Sequence, residues 1–335
     1  MESRTKIIKI FNRKANTTGF WTGNPKDETT EKYLEQLNLD NREELFQHFN
    51  DDCRWIAVDN AYKHPKGKLL LDPLDGEKKK SHGQPGYFAD CNSLQEVEEY
   101  SWPNPEYLDF TDVIERIKRF PDKAVFTGMW SPFFHKVSDF FGMENYFVKM
   151  YTNPQIVEAV TSHIVDFYVE ANKRFFEVLG DNADIFFFGN DFGTQQDLLL
   201  SPDLFKKFVL PGFKRLIEVA KDYDKKVLLH SCGSIYKVIP LLIDAGIDAL
   251  HPLQAKARNM EPEKLASEFK NDIAFVGGVD TQQLLVNATP KEVKEEVYRL
   301  KDIFGGNYIV SPSHEALLPN VPLENTLAMV EAAKG

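Results

Sequence analysis

The chain has 335 residues, of which 42% are hydrophobic and 27% charged, and it carries a net charge of −11. This composition is typical of a globular protein, and the acidic balance disfavours general binding to nucleic acid or to an anionic membrane surface. No apolar run approaches the roughly 20 residues of a membrane-spanning helix. The only cysteines are Cys53, Cys91 and Cys232, an odd number that disfavours a disulfide scaffold.

The N-terminal third of the chain shows few regular patterns. Its charged beginning is followed by no long apolar segment, so we expect no signal peptide and a cytoplasmic protein. The stretch 64–86 is rich in Lys, Pro and Gly, which predicts surface loops or a hairpin. Ser93 followed by Glu96 predicts a capping box at the start of a helix. Short helices are predicted over 31–37, 42–49, 93–100 and 110–120, and a strand over 54–58.

From residue 124 onward, short apolar runs alternate with longer segments in which apolar residues recur at helical spacing. This alternation predicts a parallel sheet, and six such runs, with 54–58 and one more strand near the N-terminus, make the eight strands of a (β/α)8 TIM barrel. We expect a single barrel domain over 1–335, with 1–50 as an irregular N-terminal extension packed on it. An open doubly wound sheet is the alternative, but no Gly-x-Gly-x-x-Gly follows any strand. The predicted strands are 124–129, 184–188, 227–230, 249–252, 273–276 and 308–310, and the predicted helices are 154–179, 202–223, 234–245, 262–269 and 290–304.

His230 and Cys232 stand at the end of an apolar run, with one residue between them. On a strand, residues two apart face the same way, so the imidazole and the thiol point at one place. Both groups are zinc ligands, and the C-terminal ends of the strands are where a barrel keeps its active site. The alternative is a buried histidine beside an unreactive thiol, because buried cysteines are usually structural.

Polar or ligand-forming residues follow the other predicted strands as well. A barrel gathers such residues at one mouth, although each of them alone also fits a turn or a helix cap, as Asp280 does before a helical segment. Gly189 and Gly193 flank Asp191 and would leave room for a ligand to approach the backbone. The residues at these strand ends are Trp130, Asn190, Asp191, Gln254, Asp280 and His314.

Taken together, these strand ends resemble the uroporphyrinogen decarboxylase superfamily. The resemblance extends from about residue 184 to the C-terminus, and it implies a (β/α)8 barrel, in agreement with the strand count. The segments that carry it are 189–193, 201–202 at a helix start, 229–233, 246–254, 275–280 and 319–325, and the segment 52–56 is also similar.

One branch of this superfamily decarboxylates porphyrinogens without a metal and binds the substrate carboxylates through arginines of an N-terminal segment. The comparable segment here, 18–25, has no arginine. Because paired guanidinium–carboxylate bonds are what such a site relies on, this departure disfavours a carboxy-lyase of porphyrin metabolism. In that alternative, Asp191 or Asp59 would stabilise a protonated intermediate and His230 would donate a hydrogen bond.

The chain looks closer to the cobalamin-dependent methyltransferase branch, in which a His-x-Cys pair and a distant cysteine bind zinc. His230 and Cys232 match the pair, but no cysteine follows Cys232. His314 stands near the expected place and would complete the zinc site, with Glu315 as the alternative. Cys53 and Cys91 are less favoured as ligands; Cys53 begins a predicted strand and so lies at the wrong end of a barrel.

The resemblance implies methyl transfer to or from a small thiol, amine or ether, with Zn²⁺ as cofactor. A corrinoid (cobalamin) partner protein would carry the methyl group, since no Asp-x-His-x-x-Gly motif occurs in this chain. A homodimer and a non-catalytic barrel that binds a corrinoid or another small molecule stay open as alternatives. The expected catalytic residues are Asp191, His230 and His314, the substrate-binding residues Trp130, Asn190, Gln254 and Asp280, and the metal ligands His230, Cys232 and His314.

Overall fold

Eight parallel strands form the centre of the computed structural model, which describes residues 2–73, 81 and 84–335. Part of the stretch 64–86, predicted as loops or a hairpin, lies outside these described residues. The strands are β1 (Gly19–Phe20), β2 (Cys53–Ala57), β3 (Ala124–Gly128), β4 (Ile185–Gly189), β5 (Lys226–His230), β6 (Ala249–His251), β7 (Ala274–Val279) and β8 (Tyr308–Pro312).

The strand order is β1-β8-β7-β6-β5-β4-β3-β2, and each neighbouring pair is parallel. The sheet therefore curls into a nearly closed barrel with helices between its strands, which confirms the predicted (β/α)8 fold. The seven strands located from the sequence are all present within a few residues of their predicted bounds, and the eighth is β1.

Helices connect the strands, and α8 and α14 both begin at a proline, as first-turn preferences predict. In the described part of the chain, none of the helices combines the length and the hydrophobicity that spanning a bilayer requires. The helices are α1 (Ser3–Phe11), α2 (Asp27–Leu37), α3 (Arg42–His48), α4 (Leu94–Glu98), α5 (Thr111–Ile117), α6 (Phe133–Phe141), α7 (Met143–Thr152), α8 (Pro154–Leu179), α9 (Pro202–Leu204) continued by a π-helical turn (Phe205–Val209), α10 (Leu210–Asp222), α11 (Ile239–Ala245), α12 (Pro262–Phe269), α13 (Leu284–Asn287), α14 (Pro290–Phe304) and α15 (Leu323–Lys334). Short 3₁₀ turns cover Asp59–Ala61, Pro105–Tyr107, Gly180–Asn182, Tyr236–Val238 and Gly305–Asn307.

Helix capping differs from the prediction at one position. Ser93 does precede α4, but its side chain makes no cap hydrogen bond, so the predicted capping box is wrong. Its partner Glu96 lies instead beside the thiol of Cys91. A complete capping box forms at the start of α14, where Thr289 and Glu292 bond each other's backbone N–H groups.

The N-terminal helix α1 closes the N-terminal end of the barrel. Ile7, Ile10 and Phe11 are fully buried and pack in one cluster with residues that begin the strands, among them Cys53 and Ala124. Burying such side chains contributes roughly 1.5–3 kcal/mol each. The range 1–50, expected as an extension packed on the barrel, thus plugs one end of it through α1 and also supplies β1.

Two buried carboxylates bridge β1 and β2, which share no ladder in the described sheet. Asp52 accepts the backbone N–H of Phe20 at 2.9 Å and donates its own N–H to the Phe20 carbonyl at 3.0 Å. Asp51 accepts both the backbone N–H and the hydroxyl of Thr22, at 2.7 and 3.0 Å. Burial raises the pKa of Asp51 to about 7, although the Thr22 hydrogen bonds and the charge of Arg54 act in the opposite direction.

We expect the Asp51→Asn variant to lose part of the pH dependence of stability. Folding raises the pKa of Asp51 from 3.8 to about 7, so the folded state binds this proton more tightly and stability falls as pH rises through that window. Asparagine keeps an acceptor oxygen for Thr22 and does not ionise. Denaturant unfolding at about pH 5 and about pH 8 measures the difference.

The matched control is Asp302→Asn, an exposed position on α14, which should leave the pH dependence unchanged. If Asp51→Asn and the unsubstituted protein lose the same free energy of unfolding between the two pH values, Asp51 does not titrate in this window.

Candidate active site

Three neighbouring strands bring the central side chains to one level of the barrel. Gly189 of β4 lies beside His230 of β5, and His230 lies beside His251 of β6. Asp191 and Cys232 each follow their strand by two residues. Because parallel strands all open their C-terminal ends at the same end of a barrel, these side chains meet at its mouth.

His230 is at the centre of this cluster and is only 4% exposed. Its Nε2 lies 3.4 Å from the Cys232 sulfur and 3.5 Å from Asp191 Oδ1. Its Nδ1 lies 3.0 Å from Nδ1 of His251 and 3.7 Å from Oε2 of Glu315. One imidazole thus contacts a thiol, two carboxylates and a second imidazole.

Asp191 is held in place from two sides. Its Oδ1 accepts the backbone N–H of Cys232 at 2.7 Å, so the ends of β4 and β5 are tied together. Its own backbone N–H donates to Nε2 of His135 at 2.9 Å. The sequence did not indicate His135, because it lies inside α6 and not at a strand end, and it shares the less buried side of that helix with Lys136 and Asp139.

The charges of the cluster favour a positive charge at its centre. Burial opposes protonation of His230, but Asp191, Cys232 and Glu315 outweigh it and raise the pKa of His230 to about 10. Burial raises the pKa of the Cys232 thiol, and His230 acts against that shift. Burial and the neighbouring imidazoles hold the pKa of His251 well below its usual range, so His251 is neutral.

Two sets of side chains in the described residues could hold a metal ion. In each set the ligand atoms lie within 4.8 Å of one another: one joins Asp191, His230 and Cys232, and the other joins His230, His251 and Glu315. The Nε2 atom of His251 and the Oε2 atom of Glu315 are buried without a hydrogen-bond partner. Buried polar atoms normally have partners, so these two orphaned atoms fit a cation at this place.

His314 lies at the edge of the cluster and belongs to neither set. Its Nδ1 accepts the backbone N–H of Ala316 at 3.1 Å, and its ring centre is 6.5 Å from that of His230. Cys53 and Cys91 also stand outside both sets. The side chain of Asp59, considered for the decarboxylase alternative, lies outside the part of the chain that the structure describes.

Trp130 packs against His230. Gly189 and Gly193, which we expected to leave room for a ligand, instead leave room for neighbouring groups of the protein. The ring centres of Trp130 and His230 are 5.2 Å apart. A Cβ atom on Gly189 would lie 2.4 Å from the Trp130 ring, and one on Gly193 would lie 2.9 Å from the Cys232 carbonyl oxygen. Both glycines therefore permit close packing around the cluster.

The other predicted substrate-binding residues bond the protein itself. Asn190 is buried, and its amide bonds the backbone of Phe134 and Ser131. The carboxylate of Asp280 accepts hydrogen bonds from the backbone N–H groups of Gln282, Gln283 and Leu284. Asp280 thus acts as a helix cap, the alternative role that its sequence context allowed. Gln254 Oε1 accepts the N–H of Gly233 at 2.8 Å and steadies the loop that carries Cys232.

A cavity of about 410 Å³ adjoins the cluster at the mouth of the barrel. His314 and Glu315 form the wall next to the cluster, so the cavity reaches the candidate metal ligands. Gln254 and Asp280 also line it, which leaves these two residues within reach of a bound molecule. Its remaining polar lining includes Lys26, Lys256, Thr281, Gln282, Ser313 and Asn320.

We expect Gly189→Ala to destabilise the protein by roughly 1–3 kcal/mol, the usual cost of overpacking. The new methyl group would displace the Trp130 ring, which lies 2.4 Å from the ideal Cβ position. Thermal unfolding measures the loss, and tryptophan fluorescence reports the displaced ring.

The companion measurement is the same substitution combined with Trp130→Leu. Once the ring is gone, Gly189→Ala should cost clearly less than it does alone, because the two residues are coupled through one contact. Strictly additive effects of the two substitutions would argue against that contact.

Comparison with known families identifies the larger part of the chain. The family model described as uroporphyrinogen decarboxylase (URO-D) matches residues 79–335. Among solved structures, a methyltransferase from Methanosarcina mazei superposes with a TM-score of 0.69 over 100% of this chain and 98% of that chain, at 16% identity. At this identity the similarity shows a common fold.

Curated relatives extend the comparison to sequences. The chain is 24% identical over 227 residues to a methylcobamide:CoM methyltransferase of Methanosarcina acetivorans, in a match that covers 66% of this chain and 62% of that protein. It is 28% identical over 198 residues to a methylated-thiol–coenzyme M methyltransferase of Methanosarcina mazei, covering 58% and 48%. The matches thus span less than two thirds of the length of these relatives.

Proposed function

This chain belongs to the uroporphyrinogen decarboxylase family, and we propose that it is a zinc-dependent methyltransferase that works with a corrinoid-carrying partner protein. The observation that carries the proposal is the meeting of His230, Cys232 and Asp191 at the mouth of the barrel. The two curated relatives described above are both methyltransferases, which supports the same reaction class.

The donor set fits zinc. A thiolate, an imidazole and a carboxylate are all zinc ligands, and a catalytic site keeps three protein ligands and one open position. His230 and Cys232 would hold the ion with Asp191 as third ligand, since only that set contains both residues of the pair. The ion would take the place of the proton that the surrounding anionic groups favour on His230.

Bound zinc would supply Lewis acidity, lowering the pKa of a thiol acceptor so that its thiolate is available at neutral pH. The chain's own residues would do the rest. Trp130 shields one side of the cluster from water, and the Gln254 bond to Gly233 fixes the loop of Cys232. His314 lines the cavity beside the cluster and is placed to exchange a proton with the substrate.

The mouth cavity favours methyl transfer over porphyrinogen decarboxylation. Its described lining contains two lysines but no arginine, whereas a polycarboxylate site relies on guanidinium pairs. A cavity of about 410 Å³ suits a small thiol, amine or ether. The corrinoid-carrying partner protein would dock over the mouth of the barrel, from which its methyl group could reach the candidate metal cluster.

We expect the purified protein to contain about one zinc per chain and the Cys232→Ser variant to contain far less, because serine replaces the strongest of the proposed ligands. Elemental analysis of both proteins measures this. Cys91→Ser is the matched control, since Cys91 is a free cysteine outside both candidate sets.

The same preparations are then assayed with methylcobalamin as methyl donor and a small thiol as acceptor, and separately with a porphyrinogen substrate. Turnover with methylcobalamin that disappears in Cys232→Ser supports the proposal. Absence of zinc after reconstitution, or turnover of the porphyrinogen alone, would contradict the proposed zinc-dependent methyl transfer.

A second set of variants identifies the third ligand. We expect Asp191→Asn to weaken zinc binding by more than about 10-fold, Glu315→Gln to weaken it less, and His314→Asn to leave it nearly unchanged. The reason is distance: only Asp191 groups with both His230 and Cys232. Competition titration with a metal chelator gives the affinities.

The opposite ranking would be equally clear. If His314→Asn releases the metal while Asp191→Asn retains it, then His314 is the third ligand, in place of the distant cysteine of the methyltransferase branch, and Asp191 has a different role.

A further inference from the structure

A second cavity, of about 240 Å³, opens on the flank of the barrel. It lies between α3 and α5, over the place where β1 and β2 share no ladder. None of its described lining residues belongs to the mouth cavity. The flank cavity is therefore distinct from the mouth cavity, although its lining residue Trp21 lies against the candidate metal cluster, with its ring centre 5.2 Å from that of His251.

The inner wall of the flank cavity is aromatic and its rim is basic. Trp21, Cys53 and Trp55 form the inner wall, and the first two belong to the buried cluster inside the barrel. Four of its lining residues are arginines and only one is acidic. These five residues are Arg42, Arg54, Arg116, Arg119 and Glu43.

Two of the four arginines are already neutralised within the protein. Arg54 is buried and makes a bidentate pair with Glu43, at 2.8 and 2.7 Å. Its guanidinium also lies over the ring of Phe46, 5.2 Å from the centre. Arg42 pairs with Asp27 at 2.7 Å. Each of these two pairs balances one positive with one negative charge, and the Arg54–Glu43 pair is the more buried of the two.

The other two arginines have no such partners. Arg116 is in the last turn of α5, and Arg119 follows it by one helical turn, on the same side. Neither side chain makes an ion pair or hydrogen bond within the described residues, and the nearby Glu115 is taken by Lys118. Positive charges are favourable at a helix C-terminus, which explains why arginines occur at the end of α5. It does not explain why two unpaired guanidinium groups line a cavity.

We infer that the flank cavity binds a small polyanion, through phosphoryl or carboxyl oxygens placed between the guanidiniums of Arg116 and Arg119. Arginine presents a planar set of donors that suits both oxyanions in bidentate fashion. The net charge of −11 makes a general attraction for anions weak, so binding would depend on these two side chains. The inner tryptophans would contact the rest of the ligand.

The test is calorimetric titration of the full chain with pyrophosphate and, in a separate arm, with citrate. We expect saturable binding of at least one probe and a loss of about 10-fold or more in affinity in the variant Arg116→Gln/Arg119→Gln. The two arms distinguish a phosphoryl ligand from a polycarboxylate. Both arginines are exposed, so the variant should fold.

A charge-matched control is Lys207→Gln/Lys291→Gln, which removes two exposed positive charges from residues that do not line the cavity. It should bind the probe as the unsubstituted protein does. Arg116→Lys/Arg119→Lys keeps the charge and should still lose affinity, because lysine lacks the bidentate geometry. Absence of saturable binding, or equal weakening by the glutamine pair and its control, would overturn the inference.

Discussion

The parallel register of β4, β5 and β6 is the constraint on which the site depends. It sets Gly189, His230 and His251 side by side, so every group that follows these strands leaves the sheet at one height. Burial of the aligned side chains then strengthens the electrostatic interactions between them. A histidine among two carboxylates and a thiol, with little water, is a place where a positive charge is strongly favoured. The register is thus the reason why residues far apart in the chain act on one point.

The sequence was sufficient to predict the barrel and to point to the residue pair at the centre of the candidate site. Apolar runs of strand length alternating with amphipathic segments carry most of the information about a parallel fold, so the strand positions were found closely. The pair His230 and Cys232 was found because both residues stand on one strand end, where spacing alone fixes their direction. Local patterns are reliable when a single element determines the geometry.

The remaining parts of the site depend on contacts between elements, which a pattern in one segment does not contain. Asn190 has the residue type of a ligand-binding group, yet its amide bonds a loop that follows another strand. Glu315 rather than His314 faces His230, a choice between adjacent residues that depends on how the last loop turns. The short β1 has too few residues to show any period, and nothing within α6 marks His135 as the partner of the Asp191 backbone.

The position of β1 has a consequence for the order in which the molecule assembles. This strand precedes the other seven in the chain, but its ladder partner is β8, and the paired residues Gly19 and Ile309 are 290 positions apart. The helix α1 contacts both strands and is buried in one cluster with Ile309 of β8. Completing the ring therefore requires one of the longest-range contacts that the chain can make, and such contacts form slowly. Before β8 is in place, the apolar face of α1 lacks part of its packing surface, and such exposed apolar surface favours association between chains.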